Sequence, residues 1–189
     1  MTKKEIRKLF REKRNSLNEA QVDKMQDLLL IQLQKLALPY TQCVHTYLAK
    51  AESNEPDTSA IIRWLQFRNP GLKIVVPKVD LNSGQLLPIL FDGNESLVKN
   101  SFGIREPADG ELVPVEWIDL VLVPLLAFDE KGFRVGYGMG FYDKFLAECR
   151  PDTIRLGLSF FDPVESISDT HAFDVPLTAC VTPYRMYEF

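Results

Sequence analysis

The run D-L-V-L-V-P-L-L-A-F, Asp119 to Phe128, leads through a glycine-punctuated loop into F-Y-D-K-F-L, Phe141 to Leu146. Its ten residues are almost continuously apolar and rich in Val and Leu, which predicts a strand buried on both faces of a parallel sheet. Glycines at 136, 138 and 140 follow, and apolar residues then recur at helical spacing from Phe141 to about Glu148. A buried strand, a tight loop and a helix make the repeating unit of an α/β fold.

Upstream, Thr2 and Glu5 have capping-box spacing, so a helix is expected at the start. Ile6, Leu9 and Phe10 give it an apolar face, and Lys3, Arg7, Arg11 and Arg14 share another face, which by itself reads as a solvated basic surface. A second helix starts near Asn18 and is expected to end by Pro39. Gln42 to Leu48 reads as a strand, Asp57 or Thr58 as a helix cap, and Lys73 to Val76 as a strand closed by Pro77. Residues 80–118 suggest a hairpin followed by loops, and Ile154 to Phe160 a further strand. Nothing divides the chain, so residues 1–189 are expected to form one domain with a mostly parallel sheet.

Composition agrees with this and excludes several functions. The 189 residues are 46% hydrophobic and 25% charged, which is ordinary globular usage, and no residue type or period dominates. A net charge of −4 argues against a dedicated nucleic-acid binder. No apolar run approaches the 18 or so residues of a membrane span, and the basic N-terminus lacks the apolar segment of a secretory signal. Three cysteines without C-x-x-C spacing point to a reducing cytoplasm. With only two histidines a zinc cluster is not expected, so any metal should be a hard cation held by carboxylates and phosphate.

The glycine loop carries the chemistry. Glycine lets backbone N–H groups approach an anion, and a helix N-terminus adds unpaired donors and a favourable dipole. The spacing matches neither the dinucleotide fingerprint nor the Walker A pattern. On the glycines alone, a phosphate cradle and a plain tight turn both remain open. Arg134 beside the loop could fork onto phosphate oxygens. Asp143 in the first helical turn could hold Mg²⁺ against a phosphate or merely complement the helix dipole. Tyr137, Phe141 and Tyr142 offer aromatic surface for a heterocycle or for the core.

The run R-V-G-Y-G-M-G-F-Y-D at 134–143, preceded by V-P-L-L-A-F-D, closely resembles the 5-formyltetrahydrofolate cyclo-ligase family. K-K-E-I-R at 3–7, Y-L at 47–48, E-P-D-T at 55–58, F-G-I-R-E-P at 102–107 and F-D-V-P-L at 173–177 occur in the family's order. The resemblance implies a three-layer α/β/α fold of the phosphosugar-isomerase/CoA-transferase type. It implies ATP- and Mg²⁺-dependent conversion of 5-formyltetrahydrofolate to 5,10-methenyltetrahydrofolate. A cytoplasmic monomer is expected, with small-molecule partners alone and neither nucleic acid nor membrane. ATP contacts carry over to Lys3, Lys4, Glu5, Ile6 and Arg7, and to Arg134, Val135, Gly136, Tyr137, Gly138, Met139, Gly140, Phe141 and Tyr142. Folate contacts carry over to Leu48, Glu55 and Tyr137 to Phe141. The Mg²⁺ carboxylates correspond to Asp143 and Asp174, and Arg134 and Tyr142 are the catalytic candidates. A non-catalytic folate- or nucleotide-binding protein, and a sugar-phosphate isomerase that needs no ATP, are the competing readings.

Overall fold

The computed structural model describes residues 1–189, with Ala51 described by its backbone alone. Helix α1 (Lys3–Asn15) opens with the expected box: Glu5 N–H donates to the Thr2 hydroxyl, and Thr2 N–H donates to the Glu5 carboxylate at 2.8 Å. Asn18 and Gln21 repeat the device at the start of α2 (Glu19–Gln34). In chain order there follow β1 (Cys43–His45), α3 (Ser59–Arg68), β2 (Lys73–Asp80), β3 (Gln85–Leu90), β4 (Leu97–Lys99) and β5 (Arg105–Pro107). The remainder is β6 (Leu120–Val123), β7 (Ala127–Phe128), β8 (Arg134–Val135), α4 (Phe141–Glu148), β9 (Ile154–Leu158), β10 (Ala179–Val181) and β11 (Met186–Glu188).

Seven strands form one sheet in the order β11-β10-β9-β6-β1-β2-β3. The five inner strands run parallel, and β3 and β11 close the edges antiparallel. Period two sorts β6 between two cores. Leu120 and Leu122 pack with Leu29, Leu33, Ile61 and Leu65 of α2 and α3, whereas Val121 and Val123 pack with Phe145 and Leu146 of α4 on the other face. Full burial of such side chains contributes roughly 1.5–3 kcal/mol each. The expected three layers and mostly parallel sheet are therefore present. Helix α1 lies outside them, its Ile6 and Phe10 packing on Leu126, Ala127 and Val135 in a third small core.

Three expectations need correction. The apolar run 119–128 is two strands, because Pro124 has no N–H for the ladder; β7 leaves the main sheet and pairs with β8 instead. Strand β2 does not stop at Pro77. Its parallel pairing to β1 ends at Val75, and Pro77 lies opposite Pro88 in the β3 ladder, so no bond between the strands asks for the missing donor. Finally, Arg14 is 2% exposed, so the basic face of α1 is not solvated throughout.

From β1 the chain builds outward to β2 and β3, and from β6 it builds the other way to β9 and β10. Neighbouring β1 and β6 thus form a topological switch point, and ligand crevices in open α/β sheets lie beyond the carboxyl ends of such strands.

Candidate functional site

A cleft of roughly 830 Å³ occupies that position. Tyr47 and Leu48, which follow β1, and Pro124 and Leu126, which follow β6, line it. The glycine loop from Gly136 to Gly140 forms one wall. Gly138 has φ +102°, a conformation that favours glycine, and its Cα faces the Arg7 guanidinium, whose carbon would lie 3.3 Å from an added Cβ. Gly140, at φ +71°, is the N-cap of α4, and no side chain caps that helix start. Its first N–H groups are accordingly available to an anion.

Cationic side chains gather at this wall through the periodicity of α1. Lys3, Arg7, Arg11 and Arg14 all line the cleft. Arg7 Nε donates to the Gly136 carbonyl at 3.0 Å, which ties helix to loop. Lys3 Nζ lies 2.6 Å from both oxygens of Asp174. Burial alone would raise the Asp174 carboxyl, but hydrogen bonds from Lys3 and from the His171 N–H outweigh it and hold the group below its usual range. Lys4, Glu5 and Ile6 turn away from the cleft: Lys4 is exposed, Glu5 serves the capping box, and Ile6 is core. Val135 is core as well.

Arg134 lines the cleft but is 8% exposed. Its Nη2 donates to Asp143 Oδ1 at 2.8 Å, and its Nη1 donates to the Val175 carbonyl. Burial depresses its pKa, against the opposing pull of Asp143. Asp143 Oδ1 also accepts the Val175 N–H at 3.1 Å, so both of its hydrogen bonds fall on one oxygen. Tyr142 lines the cleft with a buried hydroxyl that has no hydrogen-bond partner among the described residues. Burial pushes its pKa far up, so the phenol remains a neutral donor. An orphaned buried donor beside a cavity asks for a partner from a ligand.

The opposite wall combines apolar surface with two fixed carboxylates, Glu55 and Glu106, the latter accepting from the Val79 N–H at 3.1 Å and from Asn100 Nδ2 at 2.8 Å. Glu55 Oε1 accepts from the Tyr137 hydroxyl at 2.7 Å, and Oε2 accepts from the Lys50 N–H at 3.0 Å. Val79, Leu86 and Ile104 add apolar surface, and Phe102 meets Phe141 edge-on at 5.8 Å between ring centres. The expected Leu48, Glu55, Tyr137 to Phe141, Tyr142, Asp143 and Asp174 thus share one cavity. Reading the sequence missed Arg14, Val79, Leu86 and Glu106 as lining residues. Arg14 left a trace as part of the four-residue cationic stripe, and Glu106 as part of the run F-G-I-R-E-P at 102–107.

A family model described as the 5-formyltetrahydrofolate cyclo-ligase family matches residues 1–183. The chain belongs to the 5-formyltetrahydrofolate cyclo-ligase family. The family's enzymes are ligases, as the resemblance implied. The 5-formyltetrahydrofolate cyclo-ligase of Escherichia coli K12 is 31% identical over 139 residues, which cover 71% of this chain and 75% of that one. The Haemophilus influenzae protein of the same name is 34% identical over 129 residues, 65% of this chain and 67% of that one. The NMR structure of Aquifex aeolicus 5,10-methenyltetrahydrofolate synthetase superposes with a TM-score of 0.78 at 26% identity, covering 100% of this chain and 93% of that one. A Mycoplasma pneumoniae 5,10-methenyltetrahydrofolate synthetase shares the fold, with a TM-score of 0.76 at 20% identity and coverage of 97% and 99%.

The residues present fit a hard cation delivered with phosphate. No group of three or more His, Cys, Asp or Glu among the described residues could form a complete metal cage. Mg²⁺, however, typically takes one or two carboxylates and completes its shell with phosphate and water. Asp143 Oδ2 makes no hydrogen bond among the described residues, and the side chain is 30% exposed, so it can serve. Asp174 can serve only by releasing Lys3, which occupies both of its oxygens.

Proposed function

We propose that this cyclo-ligase family member converts 5-formyltetrahydrofolate and ATP to 5,10-methenyltetrahydrofolate, ADP and phosphate. One observation carries the reading: a single cleft joins a cationic, glycine-lined end suited to a triphosphate to an apolar end suited to a heterocycle. The N-formyl group is an amide and a poor electrophile. Transfer of the γ-phosphoryl group to its oxygen creates a leaving group. Attack by N10 on the formyl carbon then closes the ring, N10 gives up its proton to the phosphate or to solvent, and the C–O bond breaks with its electron pair going to the departing phosphate.

Phosphoryl transfer needs positioning and charge neutralisation more than covalent chemistry. Lys3, Arg7 and the open N–H groups of the glycine loop hold the polyphosphate, and Arg134 adds positive charge from behind while orienting Asp143. Mg²⁺ held by Asp143, with Asp174 as a second carboxylate, would supply further neutralisation of the transferred group. Tyr142 donates its unpaired hydroxyl to a substrate oxygen. Glu55, Leu48 and the Phe102–Phe141 pair seat the folate. No nucleophilic side chain is required of the protein.

The reading extends to a monomer that acts in the cytoplasm on small molecules alone. Among the described residues no helix is long and apolar enough to cross a membrane. Mixing the protein with MgATP and 5-formyltetrahydrofolate and following the absorbance of the methenyl product tests the assignment. Product formation that requires nucleotide is expected. Tight binding of both ligands without turnover would establish the non-catalytic alternative.

A further inference from the structure

Arg14 is the least expected group in the cleft. It is 2% exposed and makes no ion pair among the described residues, although a buried guanidinium without a counter-charge is costly. Its Nη2 donates to the Leu125 carbonyl, its Nη1 donates to the Tyr137 hydroxyl at 3.0 Å, and its Nε is unpartnered. Because Tyr137 accepts from Arg14, its own proton is free to point at Glu55, where the hydroxyl donates to Oε1 at 2.7 Å. The counter-charge is therefore Glu55, reached through one phenol. A second tie runs beside the first: Asn54 Nδ2 donates to the carbonyls of Arg14 and Leu17 at 3.0 and 3.1 Å, pinning the Glu55 loop to the end of α1.

We propose that Arg14 is a positioning residue for the folate half of the cleft, holding the Glu55 carboxylate in register through the Tyr137 hydroxyl. The inference rests on the reading of the cleft as the folate and ATP site. Burial and the neighbouring Glu55 charge push the Tyr137 phenol well up, which keeps it the donor this relay requires. The relay spans α1, the glycine loop and the loop after β1, three segments that local sequence does not join. It leaves Arg7 and Lys3, about two and three turns away on the same helix, to the nucleotide end.

The prediction is a split between the two substrates. Tyr137→Phe keeps the ring and removes both bonds of the relay; Arg14→Met removes the charge at similar length. Each should weaken direct binding of 5-formyltetrahydrofolate, measured without nucleotide, and raise its KM roughly tenfold, as loss of a hydrogen bond to a charged group would. The KM for ATP should change less than the KM for 5-formyltetrahydrofolate, and Arg14→Met, which lies outside the glycine loop, should show that split most clearly. Arg14→Lys should rescue in part, since it restores the charge without the planar fork that reaches both Leu125 and Tyr137. The double variant should be no worse than the worse single one, because both act on the same carboxylate. Unchanged folate affinity in folded Tyr137→Phe would overturn the proposal, even if Arg14→Met failed to fold. So would additive losses in the double variant, or equal losses for ATP and folate. A wild-type protein that neither bound nor converted 5-formyltetrahydrofolate would overturn the functional reading and this inference together. A wild type that did both, beside variants that bound equally well, would remove the inference alone.

Discussion

Arg134 Nη2 stands 2.8 Å from Asp143 Oδ1, joining a side chain 5% exposed to one 30% exposed. From sequence alone Asp143 is an exposed first-turn acid whose loss should hardly affect folding. The pair changes that expectation, because removing one member leaves a buried guanidinium short of its counter-charge. Asp143→Asn can still accept from Arg134, so a loss of about 1–3 kcal/mol is expected rather than the full cost of an orphaned ion. Turnover should fall more than tenfold, since the carboxylate also serves the cation at the phosphates. Denaturant titration and steady-state rates on one preparation check both. Normal turnover with reduced stability would leave Asp143 a structural partner of Arg134 only.

Arg7 tests the nucleotide end. Its Nε is tied to the Gly136 carbonyl, while its terminal nitrogens have no hydrogen-bond partner among the described residues and adjoin Gly138. Arg7→Ala should raise the KM for ATP about tenfold, the loss of one charge-assisted contact, with a smaller effect on the folate KM. Arg11→Ala, one turn further along the same face, should be milder. Arg7→Lys should recover only part of the loss. Small, equal effects from Arg7→Ala and Arg11→Ala would return the stripe to a solvated surface.

What was legible in the sequence follows the range of the interactions. Helix α4 and the glycine loop could be read to the residue, since Gly140 and the 3.6-residue spacing after it are local signals. The two caps at Thr2 and Asn18 were local too. Strands of three residues, such as Ala179–Val181 and Met186–Glu188, carry too few positions for a period-two pattern and went unread. Pro77 misled because its cost depends on which neighbour a strand has at that position, a tertiary fact. The stripe Lys3, Arg7, Arg11, Arg14 was visible, but not that its last member is buried. The Tyr137–Glu55 contact joins residues 82 apart in the chain, and no spacing rule reaches that far.

His45 gives a pH test of the fold independent of substrate. It is fully buried in β1, 4.6 Å between ring centres from Phe145 and 5.9 Å from Tyr142, with neither ring nitrogen hydrogen-bonded among the described residues. Burial pushes its pKa down to about 3. In the unfolded chain histidine titrates near ~6.5. Between those values the unfolded state binds the extra proton, so stability falls as pH falls, by about 1.4 kcal/mol per pH unit once the unfolded histidine is fully charged. The aromatic neighbours should accept a phenyl ring. His45→Phe should therefore flatten the stability profile relative to wild type between about pH 6 and 4, where carboxylate effects are common to both proteins. Parallel profiles would show that His45 is charged, or solvated, in the folded state.

The fate of one oxygen atom tests the chemistry most directly. If ATP activates the formyl oxygen, that oxygen leaves bound to phosphorus. Heavy oxygen placed in the formyl group should then appear in inorganic phosphate. If ATP hydrolysis only drove a conformational change, water would supply the fourth phosphate oxygen and the phosphate would be unlabelled. Unreacted folate must be recovered to show that its label has not exchanged with solvent. Transfer is expected because ring closure otherwise expels hydroxide from a neutral carbon centre near pH 7. Arg134→Ala provides the control. It removes both the charge behind the loop and the hydrogen bond that orients Asp143, so the chemical step should slow by roughly 10²–10³-fold. Every turnover that remains must still pass the oxygen to phosphate, since the residue stabilises the transfer without choosing its route. A slow variant that released unlabelled phosphate would mean that the cationic end of the cleft hydrolyses nucleotide separately from ring closure, and the proposed coupling of the two substrates would fail.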